Sequence, residues 1–495
     1  MDAKSMHSAD AVLQELTFPS NWENPQSGHY DLVCIGAGPA GLIAAMIGAG
    51  LGGRVALVEK QGLGGDCLHH GCVPSKALIA AARRHYQVRN LLEPSGNAFN
   101  LQSKSAFDAM RSTRAQLGQH DSVSRICEMG IDVFLGTGQF RDKKSVTVGN
   151  RTLTFRRCII ATGSQPARPE IPGLNDITFH TNHTVFSLPQ APPSIMIIGG
   201  GPVGCELAQT FRRLGSQVSL VTRGALLPKE DAPVSALIES QFRTEGINIL
   251  THSKILGIST GNRNREIEIL TSDSGHRIKA EALLVATGGI PSLGELELQR
   301  AEVVFDRRGI QVDDRLQTTN RRIYAAGDCI GKMAYSHAAD AMARICIQNA
   351  FFWGRKKLSR LVIPRTTFTD PEVAHVGITR REAEQREIGL DHFREEFQHT
   401  DRATLEGTPN GYAEIHCRRG TDQILGASIV GPQAGELIGI ITLMLTNRLP
   451  LRRLAKTIQC YPTHSGILKT LADQYTRKQL TPLRSRLLRF LLQHR

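Results

Sequence analysis

The stretch YDLVCIGAGPAGLIAA, Tyr30 to Ala45, runs from an apolar segment through three glycines into an alanine-rich helix start. The apolar segment reads as a buried strand, and Gly36, Gly38 and Gly41 stand in the spacing G-x-G-x-x-G. The first glycine permits a tight turn, the second lets a pyrophosphate approach the backbone, and the third lets helix and strand pack closely. The helix N-terminus that follows is a ready anion site. A glycine pattern alone is weak evidence. Here RVALVEK supplies a second strand that delivers Glu59 twenty-three residues after Gly36, where an acid can bind a ribose hydroxyl pair.

The plan recurs at SIMIIGGGPVGCELAQTF, with Gly199, Gly201 and Gly204 in the same register. Its second strand, QVSLVTRG, has Thr222 where the first copy has Glu59, with Arg223 next to it and Lys229 six residues further on. Cations without the acid suit a 2′-phosphate, so this site is expected to prefer NADPH to NADH. Each copy is later followed by an apolar strand ending in Ala-Thr-Gly: CIIATG, with Ala161, Thr162 and Gly163, and LLVATGG, with Gly288. Two dinucleotide sites on one chain suggest electrons passing between two cofactors, and their shared plan suggests an internal duplication.

At 495 residues the chain is too long for one core. Its net charge of +13 comes from dispersed arginines with no nucleic-acid motif, so an anionic cofactor or a basic tail explains the charge better than nucleic acid does. No run of about eighteen apolar residues is present to span a membrane. Residues 1–28 are polar and do not read as a signal peptide. Ten cysteines in such a chain point to a reducing, cytoplasmic setting rather than to a disulfide scaffold. In that setting GGDCLHHGCVPSK, Gly64 to Lys76, poses a choice. Cys67 and Cys72 are a metal clip, a structural disulfide or a redox couple, and close pairs of this kind are more often catalytic or metal-binding than structural.

The order of motifs is a glycine motif with its acid, then C-x4-C-x-P-S-K, a second glycine motif, IYAAGDC at Ile323–Cys329 and a C-terminal domain. Over about residues 29–475 this resembles the class I flavoprotein disulfide reductases, the FAD-dependent pyridine nucleotide-disulfide oxidoreductases that include glutathione reductase, dihydrolipoamide dehydrogenase and mercuric reductase. The resemblance implies an α/β homodimer with two Rossmann-like dinucleotide-binding domains and a C-terminal α+β dimerisation domain. FAD would occupy residues 29–165 with 290–362, NADPH residues 166–289, and the dimer contact residues 363–475. An extension, 1–28, and a basic tail, 476–495, flank them. It further implies that Cys67–Cys72 is the catalytic disulfide, Cys72 the flavin-proximal thiolate and Cys67 the interchange thiol. Lys76 would stand near the flavin with Glu206 as its partner, and Gly65 would lie in the FAD site. Asp328 would bind the FAD ribitol, with Gly327 allowing close approach. The chemistry is in keeping: a helix start favours thiolate, a short loop can close a reducible bridge, and zinc would need two more ligands at typical spacing.

Departures from the family pattern narrow the substrate. Asp66 stands where the family usually has Thr, and His69 and His70 replace apolar or amide residues. They are imidazoles that either are simply packed or solvated on a helix surface, or stabilise thiolate or help hold a soft metal. Where the family has H-P-T-x-x-E this chain reads CYPTHSG, so Tyr461 and Gly466 replace the acid–base dyad and His464 is a candidate displaced base. Mercuric reductases also carry Tyr in that region, and their NADPH strand has Arg without the ribose acid. Their N-terminal C-x2-C and C-terminal vicinal cysteines have no counterpart here, although Cys460 adjoins Tyr461. A metal ion leaving thiolates needs no proton donor, so the expected function is mercuric reductase-like: electrons pass from NADPH through flavin and Cys67–Cys72 to a soft metal ion held transiently by those thiolates. The alternatives are a small-molecule disulfide reductase with a non-standard base, or a flavin redox sensor or membrane-recruited electron carrier. The last reading rests on PLRSRLLRFLLQHR, where Leu483, Leu487, Leu488, Leu491 and Leu492 alternate with Arg484, Arg486 and Arg489 at helical spacing. Such a helix packs on its own dimer or lies peripherally on an anionic membrane.

Overall fold

The structure is a computed structural model that describes residues 7–92, 103–260, 267–272, 277–352 and 354–494. These fall into two units: residues up to Arg223 with Gly246–Leu361, and Gly224–Glu245 with the chain from Val362 onward.

The first unit is built on one mixed and one all-parallel sheet. In the larger, strands 131–135, 55–59, 28–35 and 151–160 lie side by side in parallel, and Ile323–Ala325 adds a further parallel partner to the end of 151–160. The antiparallel strands 145–148 and 138–142 complete it. Leu32, Val33, Leu57, Ile159 and Ile160 are buried, as strands with both faces covered require. The second sheet is all parallel, in the order 248–250, 217–221, 194–198, 282–285. In both sheets the glycine motif joins the central strand to a helix with proline in its first turn, Pro39–Gly50 and Pro202–Arg213. Proline fits there because those N–H groups have no helical acceptor.

The segment expected to be an extension is built into this unit. Helix Ser8–Thr17 buries Leu13 against Leu68 and Ala115, and the carbonyl of Thr17 accepts from Leu63 N–H at 3.1 Å.

The second unit centres on a five-stranded antiparallel sheet in the order 365–367, 372–377, 424–431, 412–418, 390–396. Alternation sends Val376, Phe393, Ile415 and Ile429 to one face, where they share a core with Leu437, Ile441, Leu468 and Leu471 of helices Ala434–Thr446 and Gly466–Lys478. The opposite face carries His375, His392, Glu414, His416 and Ser428. The tail forms helix Pro482–Gln493, with the Thr481 hydroxyl accepting from Arg484 N–H, and none of its residues is buried. Among the described residues no helix is long and apolar enough to cross a membrane.

Candidate active site

The two glycine motifs show the same division of labour. Gly36 has φ +99°, and a Cβ there would stand 2.3 Å from the Ala161 carbonyl oxygen; at Gly41 a Cβ would stand 1.8 Å from the Gly36 oxygen. Gly199 and Gly204 repeat this against Ala286 and Gly199, at 2.3 and 1.9 Å. These four residues are glycine because backbone occupies the space. At Gly201, Gly163 and Gly288 a Cβ would meet nothing within 4 Å, and at Gly38 it would meet only the Cα of Gly65, at 3.9 Å. The space before the two helix N-termini is therefore open. Thr162 Oγ1, in the Ala-Thr-Gly segment that follows the first copy, is buried with no hydrogen-bond partner among the described residues. A dinucleotide pyrophosphate fits both openings, and the orphaned hydroxyl is a group such a ligand can satisfy.

Glu59 ends its strand buried, and its carboxylate accepts from the backbone N–H groups of Ala37, Lys60 and Gln61 at 2.7–2.8 Å. It thereby shapes the glycine turn. Thr222 occupies the matching place: its side chain would lie 2.9 Å from a Cβ on Gly200. Arg223 and Lys229 are exposed. Asp328 begins a short 3-10 helix after Gly327, and its Oδ2 accepts from the Ser164 hydroxyl at 2.9 Å. Burial raises its pKa, and the nearby charge of Asp66 adds to the effect.

Cys67 lies on the short helix Gly65–His69, and Cys72 is the first residue of helix Cys72–Leu92. Both are free thiols joined by a hydrogen bond. That bond is the largest of the effects holding Cys72 down at about 6. Burial opposes it, and a 3.5 Å contact with the Ser336 hydroxyl and the positive charge of Lys76 reinforce it. The same bond, with burial, pushes the Cys67 thiol well up. The pair is thus one thiolate and one thiol, with the thiolate at a helix N-terminus where the dipole favours it. Lys76, one turn on, donates to Glu206 Oε2 at 2.7 Å, and Glu206 is only 4% exposed.

His69 has a structural task, its Nε2 lying 2.9 Å from the Leu63 carbonyl. Asp66 gains a partner from far along the chain, His183 Nε2, at 3.1 Å, with His70 Nδ1 at 3.8 Å.

Tyr461 and His464 are placed in the second unit. Tyr461 is 81% exposed, and its hydroxyl donates to Asp401 at 2.7 Å. His464 is buried, with Nε2 2.7 Å from Glu406 Oε2. A His–carboxylate pair thus exists in this segment, His464 with Glu406 of helix Asp401–Glu406, beside the Tyr461 and Gly466 that stand where the family has His and Glu. Sequence reading missed Glu406, as it missed Ser336, Ser164 and His183. Each comes from a distant segment, and no local motif marks it.

Residues 30–343 match the pyridine nucleotide-disulphide oxidoreductase family, and residues 363–472 match its dimerisation domain. The chain belongs to this family. Pyridine nucleotide-disulphide oxidoreductases use FAD and a nicotinamide nucleotide, and this one is an FAD-dependent oxidoreductase acting on a sulfur group or a metal ion. A mercuric reductase of Streptomyces lividans is 33% identical over 462 residues, 90% of this chain and 96% of the relative. A dihydrolipoyl dehydrogenase of Chlamydia pneumoniae is 32% identical over 445 residues, 88% of this chain and 95% of the relative. Among solved structures, the Cu(II) complex of the HOCl-induced flavoprotein disulfide reductase RclA from Escherichia coli superposes with a TM-score of 0.82 at 25% identity, covering 90% of this chain and 99% of that one.

Proposed function

We propose that this oxidoreductase passes electrons from NADPH through the Cys67–Cys72 pair to a soft metal ion bound by the two sulfurs, Hg(II) being the best-matched substrate. Residues 29–165 with 290–362 hold FAD in this reading, residues 166–289 hold NADPH, and residues 363–475 make the dimer. FAD, when bound, relays two electrons between the nicotinamide and the cysteine pair. Asp328, fixed by Ser164, and Glu59, fixed by its backbone donors, are the groups that hold the sugar hydroxyls of FAD, and Thr162 and the open helix N-terminus behind Gly38 hold its phosphates. Arg223 pairs with the 2′-phosphate of NADPH, the site having Thr222 in place of an acid.

Cys72 as thiolate and Cys67 as thiol bracket the ion; on binding, the Cys67 proton leaves to water and both sulfurs ligate. Sulfur suits such an ion because both are polarizable. Over the cycle NADPH gives up a hydride and Hg(II) takes its two electrons, leaving NADP+, one proton and Hg(0). Lys76, tethered by buried Glu206, stands one helical turn beyond Cys72. The observation that carries the substrate class is the exposed Tyr461 standing where a proton-managing His is usual. Support comes from the mercuric reductase relative and from the Cu(II) bound by the Escherichia coli neighbour.

The test is one substrate panel under NADPH: Hg(II), Cu(II), oxidised glutathione and lipoamide. Metal-dependent NADPH oxidation should dominate. Disulfide turnover with no metal-dependent rate would favour a second reading, which the His464–Glu406 pair supports: a disulfide reductase that uses His464 as its base. The tail adds a separate proposal, peripheral contact with anionic lipid. Leu483, Leu487, Leu491 and Leu492 are 50–82% exposed among arginines, and binding to anionic vesicles should vanish when 482–495 are deleted.

A further inference from the structure

We propose that His392, Glu414 and His416 form a divalent transition-metal site on the five-stranded sheet, suited to an ion of the Zn(II) class. His392 and His416 are register partners on neighbouring antiparallel strands, and Glu414 lies two residues before His416 on the same face. The two Nδ1 atoms are 3.2 Å apart, and their rings meet edge to face at 87°. Glu414 Oε1 stands 3.6 Å from His392 Nδ1 and 3.9 Å from His416 Nδ1. A tetrahedral centre with bonds of about 2.0–2.2 Å needs its donor atoms roughly 3.3–3.6 Å apart. The three spacings lie within about half an ångström of that range. Perpendicular rings also let both lone pairs point at one centre. The other such cluster among the described residues, Asp66 with His70 and His183, fails this condition. Its imidazoles are stacked at 22° with centroids 4.5 Å apart, so their in-plane lone pairs run side by side instead of converging.

The chemistry of the donors agrees with the geometry. A histidine binds metal through a deprotonated ring nitrogen, and here the two Nδ1 atoms face each other across 3.2 Å on one side of the sheet. One facing Nδ1 donates to the other, and when an ion takes that proton's place the proton moves to the Nε2 of its own ring or leaves to water. His416 Nε2 is buried with no hydrogen-bond partner among the described residues, so no protein acceptor ties its other nitrogen to a fixed tautomer. Arg380 Nη2 donates to Glu414 Oε1, the oxygen that faces the two imidazoles, so an ion there shares that oxygen with the guanidinium, whose backbone N–H is held by Asp231 Oδ2 at 3.1 Å. A hydrogen-bonded carboxylate is the usual support of a metal ligand. The carboxylates of Glu414 and Asp231 balance the guanidinium, which otherwise opposes a cation. His392 lies on the edge strand 390–396 and its side chain is 39% exposed, so the site has an approach from solvent. A bound ion would clamp that edge strand to its neighbour and keep a fourth position for water.

The experiment uses the FAD-loaded full chain carrying Cys67→Ser and Cys72→Ser, so that the redox thiols take no metal. After chelator treatment, zinc titration by calorimetry should find one ion per chain at micromolar affinity or better, with a rise in Tm. His392→Gln should weaken binding at least tenfold and abolish the rise, and Glu414→Gln should weaken it less. Zinc binding of equal affinity with and without His392, or no binding in the parent, overturns the proposal. If His392→Gln does not fold, zinc-edge X-ray absorption on the parent decides: a nitrogen and oxygen shell supports the site, and a sulfur shell refutes it. The outcome is independent of the Cys67–Cys72 reading, since those cysteines are absent from the protein tested.

Discussion

Cys67 and Cys72 are the same residue type five positions apart, yet their surroundings drive their acidities in opposite directions. The hydrogen bond between them has a donor and an acceptor, and Ser336, Lys76 and a helix N-terminus all act on the Cys72 side. A thiol whose pKa is lowered stays ionised above that lowered value and loses its charge only as pH falls through it. In the reduced protein, Cys72 should therefore be alkylated by iodoacetamide with a profile breaking near pH 6, where an ordinary thiol breaks near about 8.5. Cys67→Ala removes the largest stabilising contact, so the break should move up toward the ordinary range, and Lys76→Met should move it in the same direction by less. A parent profile that breaks at 8 or above would assign the thiolate elsewhere.

At the scale of the elements, the glycines sort into those crowded by backbone and those facing open space, and the two classes predict different failures. Gly41→Ala drives a methyl to within 1.8 Å of the Gly36 oxygen, so strand and helix must separate; the protein should lose several degrees of Tm and purify with little flavin. Gly201→Ala meets nothing within 4 Å and should keep its Tm while raising the KM for the nicotinamide coenzyme. Equal thermal losses in both variants would show that the open space is not a ligand space. On the next strand, Arg223→Ala should cost NADPH about 10- to 100-fold in kcat/KM, the worth of one charge-assisted hydrogen bond, and leave NADH nearly unchanged. The glycine motifs and the cysteine loop were legible because each packs its constraint into a dozen consecutive residues. Glu406, Ser336 and His183 were not, because each acts on a residue 58 or more positions away, through a fold that no local pattern encodes. Helix Ser8–Thr17 was missed for a related reason: it is polar except for the one stripe that carries Leu13, and its packing partners lie beyond residue 60.

For the whole molecule, the substrate question reduces to where protons must go. Reducing a disulfide creates a leaving thiolate that needs a proton, whereas an ion leaving as a neutral atom needs none. Among the described residues, the two groups singled out for that task in the sequence belong to the second unit. Tyr461 is exposed but bound to Asp401, and His464 is paired with Glu406 but buried. If the metal reading holds, His464→Gln should leave Hg(II)-dependent NADPH oxidation within about twofold of the parent, provided Tm is preserved. Any residual turnover of lipoamide or oxidised glutathione should fall by about 10²–10⁴-fold in the same variant, the usual worth of a positioned acid–base group. Glu406→Gln should follow His464→Gln in direction with a smaller effect, because it leaves the imidazole in place and removes only its orienting charge. A His464→Gln variant that loses the metal reaction as severely as the disulfide reaction, with unchanged Tm, would mean that proton delivery limits both, and the argument from the replaced His at Tyr461 would fall with it.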